Sequence, residues 1–133
     1  MSRSERIAAS LVFGLAALAQ TPAQRPPDSQ LPPEEDAVET PKEYVFNPVQ
    51  SKRELEVGLQ YFRKANYKAA AMRFTEATKW NDGNAEAWLH LAGAEAKKKN
   101  PKGEAAALEK YLQVAPEAKN ATELRKRLAK LKS

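Results

Sequence analysis

The chain of 133 residues contains no cysteine and only one histidine, His90. Without cysteine it can form no disulfide, and no lipid can be attached through a cysteine side chain. A lone histidine, with no second histidine or nucleophile at helical spacing, favours a surface or groove position over metal binding or catalysis. The sequence also lacks a glycine-rich phosphate loop and an evident pair of catalytic carboxylates. We therefore expect a protein that is not an enzyme and that uses no cofactor or metal.

Long hydrophobic runs are scarce as well, and the apolar run near the start, residues 7–19, has 13 residues. A bilayer's hydrocarbon core needs about 20 residues, so this run is too short to span it. Arg3 and Arg6 precede the run and small residues end it at Ala19, as in a secretory signal peptide. We predict that residues 1–19 are a bacterial signal peptide cleaved after Ala19, which makes the protein exported, periplasmic or secreted, with no transmembrane span. An uncleaved N-terminal anchor is the alternative.

Composition changes after this segment. Residues 20–43 contain six of the nine prolines, and six acidic residues against two basic ones, a net charge of −4. Few large apolar side chains are present to offset the entropy of ordering, so we predict a disordered, Pro-rich acidic linker. Residues 44–133 carry 18 Lys and Arg against 10 Asp and Glu, a net charge of +8, and we expect them to form the folded domain.

A period of 34 residues relates residues 51–84 to residues 85–118. Such a period, combined with helical spacing of apolar residues, predicts helix–turn–helix repeats that bury their apolar faces by stacking. Two repeats are fewer than the three that usually make an array stable on its own. The shift by 34 aligns the following pairs: Val57 with Leu91, Asn66 with Asn100, Lys68 with Lys102, Ala71 with Ala105, Phe74 with Leu108, and Trp80 with Val114.

Cap signals and apolar spacing predict five helices. Asn47-Pro48 and Asn100-Pro101 are start signals, and Asn120 with Glu123 forms a capping-box pattern for the last helix. The sequence thus predicts an all-α fold, a short α-solenoid of two repeats plus a C-terminal capping helix. The expected helices run from Pro48 to about Ala65, Tyr67 to Trp80, Ala85 to about Lys99, Pro101 to Val114, and about 120 to 131.

The N-terminal end of this array has no capping helix of its own. Tyr44, Val45 and Phe46 could fold back over it, or a partner or a second copy of the chain could cover it. Self-association is therefore one expectation. At the contacts between helices, small residues such as Gly58 and Ala92 predict close approach, with Phe74 filling the space beside them.

A set of residues in each repeat forms a recognisable pattern. They are Val57, Gly58, Tyr61, Ala70, Phe74 and Ala77 in the first repeat, and Trp88, Leu91, Ala92, Leu108 and Pro116 in the second. In these residues the repeats resemble the tetratricopeptide repeat family. The first repeat departs from the family pattern at Glu54 and Asp82, and the second at Glu95, Glu104 and Tyr111. Alternatively, the chain forms two amphipathic helical hairpins unrelated to that family.

The resemblance implies that a peptide or protein partner lies in the concave groove made by the first helix of each repeat. Leu59 and Phe62 would be apolar anchors, with Arg63 and Lys97 as a charged rim. For Leu55 and Leu59, packing into the core against residues 44–49 is the alternative. The groove positions carried over are Lys52, Leu55, Leu59, Phe62, Arg63, Glu86, Leu89, Gly93, Ala96 and Lys97.

Positive charge suggests a second mode of action. A basic patch is predicted from Lys97, Lys98 and Lys99 together with Arg125, Lys126 and Arg127, although basic helical faces can also serve solubility alone. No nucleic-acid recognition motif is present. We expect a non-catalytic protein–protein interaction adaptor in the cell envelope, or alternatively a binder of anionic envelope polymer or lipid headgroups through the basic face.

Overall fold

The structure, a computed structural model, describes residues 42–133. The predicted signal peptide at residues 1–19 and all but the last two residues of the predicted linker at 20–43 lie outside the described residues. Between residues 42 and 133, no helix is long and apolar enough to cross a membrane.

Five α-helices and no strand make up residues 42–133, so the predicted all-α fold class is confirmed. Each helix packs against the next one along the chain, and α1 also touches α3. The arrangement is a short solenoid of two helical hairpins, α1–α2 and α3–α4, followed by α5. The helices are α1 (Pro48–Arg63), α2 (Tyr67–Trp80), α3 (Ala85–Lys97), α4 (Pro101–Val114) and α5 (Ala121–Lys132).

Asparagine side chains set the first residue of four helices. Each accepts a hydrogen bond from the amide three residues further on, at distances of 3.0 to 3.3 Å. An N-cap oxygen satisfies an amide that has no partner within the helix, which explains why these starts can be read from the sequence. The four caps are Asn47, Asn66, Asn84 and Asn100.

The first helix of each hairpin is two residues shorter than the sequence predicts. α1 ends at Arg63 and α3 at Lys97, because Ala65 and Lys99 take left-handed backbone angles, with φ of 59° and 58°. One residue later, the backbone amide donates back to a carbonyl five residues earlier, at 3.0 and 2.9 Å. This bond closes the helix end in both hairpins, so helical periodicity alone overestimated the helix length.

The predicted capping box at the start of α5 is wrong. The Asn120 side chain makes no hydrogen bond to the first turn of α5. Its Oδ1 instead accepts a hydrogen bond of 2.9 Å from the hydroxyl of Tyr111 on α4. A tertiary contact has taken the oxygen that the local pattern assigned to the cap.

A close contact between α1 and α2 organises the core. A Cβ placed on Gly58 would lie 2.6 Å from two ring carbons of Phe74, which is fully buried. Leu91 and Leu108 of the second hairpin belong to the same buried cluster. The ring that packs over position 58 therefore requires glycine there, and the close approach of helices predicted at Gly58 is present.

A buried hydroxyl joins the first three helices at one end of the solenoid. Ser51 on α1 donates a 2.7 Å hydrogen bond to the carbonyl of Ala77 on α2 and accepts a 2.9 Å bond from Asn84 Nδ2. The start of α1, the end of α2 and the residue before α3 therefore meet there. The turns 63–67 and 97–101 consequently lie at the opposite end.

Only part of the segment before α1 folds back over the open N-terminal end. The ring of Tyr44 lies 4.9 Å from that of Trp80, and its hydroxyl donates a 2.7 Å hydrogen bond to Glu76 Oε1. Val45 and Phe46 remain 70% and 71% exposed, and Val49 on α1 is similarly exposed. Self-association through this end stays a prediction.

Candidate partner-binding surfaces

One face of α1 and the equivalent face of α3 carry the predicted groove residues. Positions 52, 55, 59 and 62–63 on α1 repeat at positions 86, 89, 93 and 96–97 on α3, with the same helical spacing. Leu59, Phe62 and Leu89 are half-buried, so each keeps part of its apolar surface accessible. The charged members Lys52, Arg63, Glu86 and Lys97 are exposed. The result is an apolar strip with charged side chains around it, called here the α1/α3 face.

Leu55 does not contribute accessible surface to this face. It is 5% exposed and belongs to the buried core cluster. Leu59 and Phe62 pack against that cluster while remaining partly accessible. The ring of Phe62 meets Tyr67 edge-on at 5.1 Å and lies 6.5 Å from that of Phe74, which holds it in place from α2.

Open space lies above α3 on this face. A Cβ placed on Gly93 would meet no heavy atom of a neighbouring group within 4 Å, whereas one on Gly58 would collide with Phe74. The two glycines therefore have different surroundings although both lie on the first helix of a hairpin. Gly58 allows internal packing, whereas a side chain at position 93 would begin in open space.

His90 lies half-buried beside this strip. Its ring stacks on Phe74 with centroids 5.6 Å apart and planes 28° apart. Its Nε2 is 3.7 Å from Glu86 Oε1. Within residues 42–133 no group of three His, Cys, Asp or Glu side chains is placed to hold a metal ion. The geometry thus assigns His90 a packing role against α2.

The structure does not bring the six residues of the predicted basic patch together. Arg125 donates a 3.0 Å hydrogen bond to the carbonyl of Pro116, just beyond the end of α4. Lys97 to Lys99 precede the start of α4, and this helix of 14 residues is about 20 Å long. Arg125 and the lysine run therefore lie at opposite ends of α4.

Arg127, a further member of that patch, is engaged with a carboxylate. It donates hydrogen bonds of 2.7 and 2.9 Å to the two oxygens of Glu104, which is 6% exposed. The hydrogen bond and the charge attraction raise the pKa of Arg127 above its ordinary value. Lys98 donates to Glu95 Oε1 at 3.2 Å, while Lys97, Lys99 and Lys126 pair with no other described side chain.

The sequence interpretation missed what Glu95 and Glu104 do. Both are buried, and both replace smaller or less polar residues of the family that the repeat resembles. Glu95 accepts hydrogen bonds from Lys98 and Asn100 at the α3–α4 turn, and Glu104 binds α5 through Arg127. These two departures from the family pattern were the only available signal of the two contacts.

A cleft on another side of the second hairpin was also missed. Its volume is about 410 Å³. Residues of α2, α3 and α4 that are far apart in sequence form its walls, so no local pattern indicates it. The lining residues are Thr75, Trp88, Leu91, Glu95, Gly103, Ala106, Ala107, Glu109 and Lys110.

No family model matches the chain, and a search of curated proteins found no matching relative. The function of this chain is accordingly inferred from its own residues and their geometry.

Proposed function

We propose that this chain is a non-catalytic adaptor of the tetratricopeptide-repeat type, which binds a partner protein through the α1/α3 face. The observation that carries the proposal is the open space above Gly93 beside the half-buried side chains of Leu59, Phe62 and Leu89. Apolar groups that remain accessible next to an unfilled space can contact an apolar side chain of a partner. Residues of both hairpins supply this surface, which fits a repeat architecture.

The charged border favours a partner of mixed character. Lys52, Arg63 and Lys97 surround the strip with positive charge, and Glu86 adds one carboxylate. Exposed charges of this kind mainly raise the association rate and select the partner, whereas the buried apolar contacts contribute most of the affinity. We therefore expect a partner segment with an apolar anchor flanked by acidic residues. Location in the cell envelope belongs to the same proposal and follows from the predicted signal peptide.

The alternative prediction, an anionic ligand on the basic helical face, has less support in its original form. Arg127 is paired with Glu104, and Arg125 lies at the far end of α4 from Lys97. A continuous patch of six free charges is therefore not available on that face.

The experiment that tests the adaptor function places a long side chain in the open space. In Gly93→Arg, the added Cβ enters open space, and we expect the rest of the side chain to cover the apolar strip. Ala106→Arg is the matched control, because Ala106 is exposed on α4 in the cleft outside the α1/α3 face. Both variants should melt close to the wild type.

The readout is cross-linking of the full chain to proteins of an envelope extract, at low and at high salt. We expect a partner that is captured at both salt concentrations by the wild type and by Ala106→Arg, and is lost in Gly93→Arg. Equal capture by all three proteins, or loss only in Ala106→Arg, would overturn the proposal that the α1/α3 face is the binding site.

A further inference from the structure

The net positive charge of the folded part is concentrated in two short turns. Residues 42–133 carry 19 Lys and Arg against 11 Asp and Glu, a net charge of +8. The turns 63–68 and 97–102 together hold seven of these basic residues and no acidic one. The remaining described residues carry 12 basic and 11 acidic residues, a net charge of +1. Nearly all of the excess charge thus belongs to the tips of the two hairpins.

The fold places these two tips side by side. The bonds of Ser51 to Ala77 and Asn84 join the other ends of the first three helices. Because α2 packs against both α1 and α3, the ends at Arg63 and Lys97 point the same way. Axes of packed helices are about 8–10 Å apart, so the two tips are close neighbours. Together the turns 63–68 and 97–102 are called here the basic edge.

The two tips are built alike, which makes the edge regular. Residues 34 positions apart are both basic at Arg63 and Lys97, at Lys64 and Lys98, and at Lys68 and Lys102. All seven basic residues of the edge, including Lys99, are exposed. The left-handed residue occupies the same place in both turns. The 34-residue shift aligned Lys68 with Lys102, but neither the apolar periodicity nor the predicted helical-face patch indicated that the two turns lie together.

The two carboxylates nearest in sequence to the second turn are both buried. Glu95 accepts a 3.2 Å hydrogen bond from Lys98, and Glu104 is bound by the last helix. Asn66 and Asn100 cap the amides at the starts of α2 and α4, so the positive charge comes from side chains rather than from free helix ends.

We propose that the basic edge docks on the surface of an anionic lipid bilayer. The tips protrude at one end of the solenoid, and long lysine side chains extend from turns rather than from the walls of a groove. A planar array of phosphate headgroups can meet both tips at once, whereas a ligand that needs enclosure cannot. Attraction of this kind is electrostatic and decreases with ionic strength.

Nucleic acid suits the same edge less well. Binding of single strands uses aromatic side chains on which bases stack. Tyr67 is the one aromatic residue within the two turns, and it is half-buried against Phe62. Docking through the tips would leave the α1/α3 face directed sideways, accessible to a protein partner. The proposal is independent of the adaptor function and makes no use of it.

The test compares two triple variants of the full chain that lose the same charge. The tip variant is Lys68→Gln, Lys99→Gln and Lys102→Gln, which leaves Arg63 and Lys97 on the border of the α1/α3 face unchanged. The control variant is Lys119→Gln, Lys126→Gln and Lys130→Gln, all exposed and outside the turns 63–68 and 97–102. Both variants keep the N-terminal segment of the wild type unchanged. Circular dichroism with thermal melting checks that both fold.

Binding is measured by co-sedimentation with vesicles of phosphatidylcholine alone and with phosphatidylglycerol added, at low ionic strength and at about 0.5 M salt. We expect the wild type and the control to bind the anionic vesicles, and to lose this binding at high salt. The tip variant should bind at least about tenfold more weakly, since each basic residue near an anionic surface contributes to the attraction.

Two results would overturn the proposal. Equal weakening in both triple variants would mean that net charge, and not the edge, attracts the bilayer. Binding of the wild type to soluble polyphosphate or to single-stranded DNA, without binding to the anionic vesicles, would identify a soluble polyanion or a nucleic acid as the ligand instead.

Discussion

Arg127 on α5 donates two hydrogen bonds, 2.7 and 2.9 Å long, to the carboxylate of Glu104 on α4. Glu104 is nearly buried, so its charge has lost most of its contact with water and relies on Arg127. Apart from Ala121, the residues of α5 are half-buried or exposed. Leu124, Leu128 and Leu131 pack α5 against the core, and this ion pair adds a polar contact between α5 and α4.

The first prediction concerns that pair. Arg127→Met should lower Tm, because the carboxylate of Glu104 is left without its partner. The double variant Glu104→Ala with Arg127→Met should recover most of the loss, since the buried charge is then gone as well. Thermal melts of the wild type, both single variants and the double variant form the cycle. If the decrease in Tm of the double variant equals the sum of the decreases in the two single variants, the ion pair does not stabilise the docking of α5.

The second prediction contrasts two glycines. Gly58→Leu should destabilise the domain by about 1–3 kcal/mol or more, because the first added carbon already meets the ring of Phe74. Gly93→Ala should be neutral or stabilising by up to about 1 kcal/mol, since alanine favours the helix and nothing stands in its way. Chemical denaturation measures both. A Gly58→Leu protein as stable as the wild type would contradict the packing of α1 on α2 described above.

The third prediction concerns the tyrosine that displaces a cap. Tyr111→Phe removes the hydroxyl bound to Asn120 and should cost about 1 kcal/mol, partly offset because the freed Asn120 side chain can then cap α5. Asn120→Ala should cost more, because no cap can replace the lost contact. Hydrogen exchange at the first-turn amides of α5 separates the two effects. Slower exchange there in Tyr111→Phe would reveal the new cap, and unchanged exchange would argue against it.

The fourth prediction concerns the buried hydroxyl of Ser51. Ser51→Ala should destabilise the domain by about 1–3 kcal/mol, because the Ala77 carbonyl and the Asn84 amide lose a partner in a buried site. Thr78→Val is the control, since its hydroxyl bonds only to the carbonyl of Thr75 within the same helix. A larger loss of stability in Thr78→Val than in Ser51→Ala would contradict the inference that the hydrogen bonds of Ser51 between helices stabilise the domain.

The sequence was a good guide to elements whose causes are local. The caps at Asn47 and Asn100 with the prolines that follow them, the spacing of apolar residues and the 34-residue period indicated five helices and their order. These signals work because a cap and an apolar stripe act within one or two turns of the chain. The close packing at Gly58 was also predicted, since the 34-residue shift aligns Gly58 with the small Ala92, and Phe74 with the large Leu108.

The tertiary structure decided everything that depends on residues distant in sequence. It diverted Asn120 from its cap to Tyr111. It also paired Arg127 with Glu104, which removed that arginine from the predicted basic patch.

Composition alone determined that the folded part carries a net charge of +8, but not where that charge lies. Stacking of the two hairpins placed the turns at 63–68 and 97–102 next to each other and so created the basic edge. Packing of α2 on α1 fills the space above Gly58, whereas the space above Gly93 stays open. The charge and size of a side chain are fixed by the residue itself. A surface depends on which residues the packing of the helices brings together.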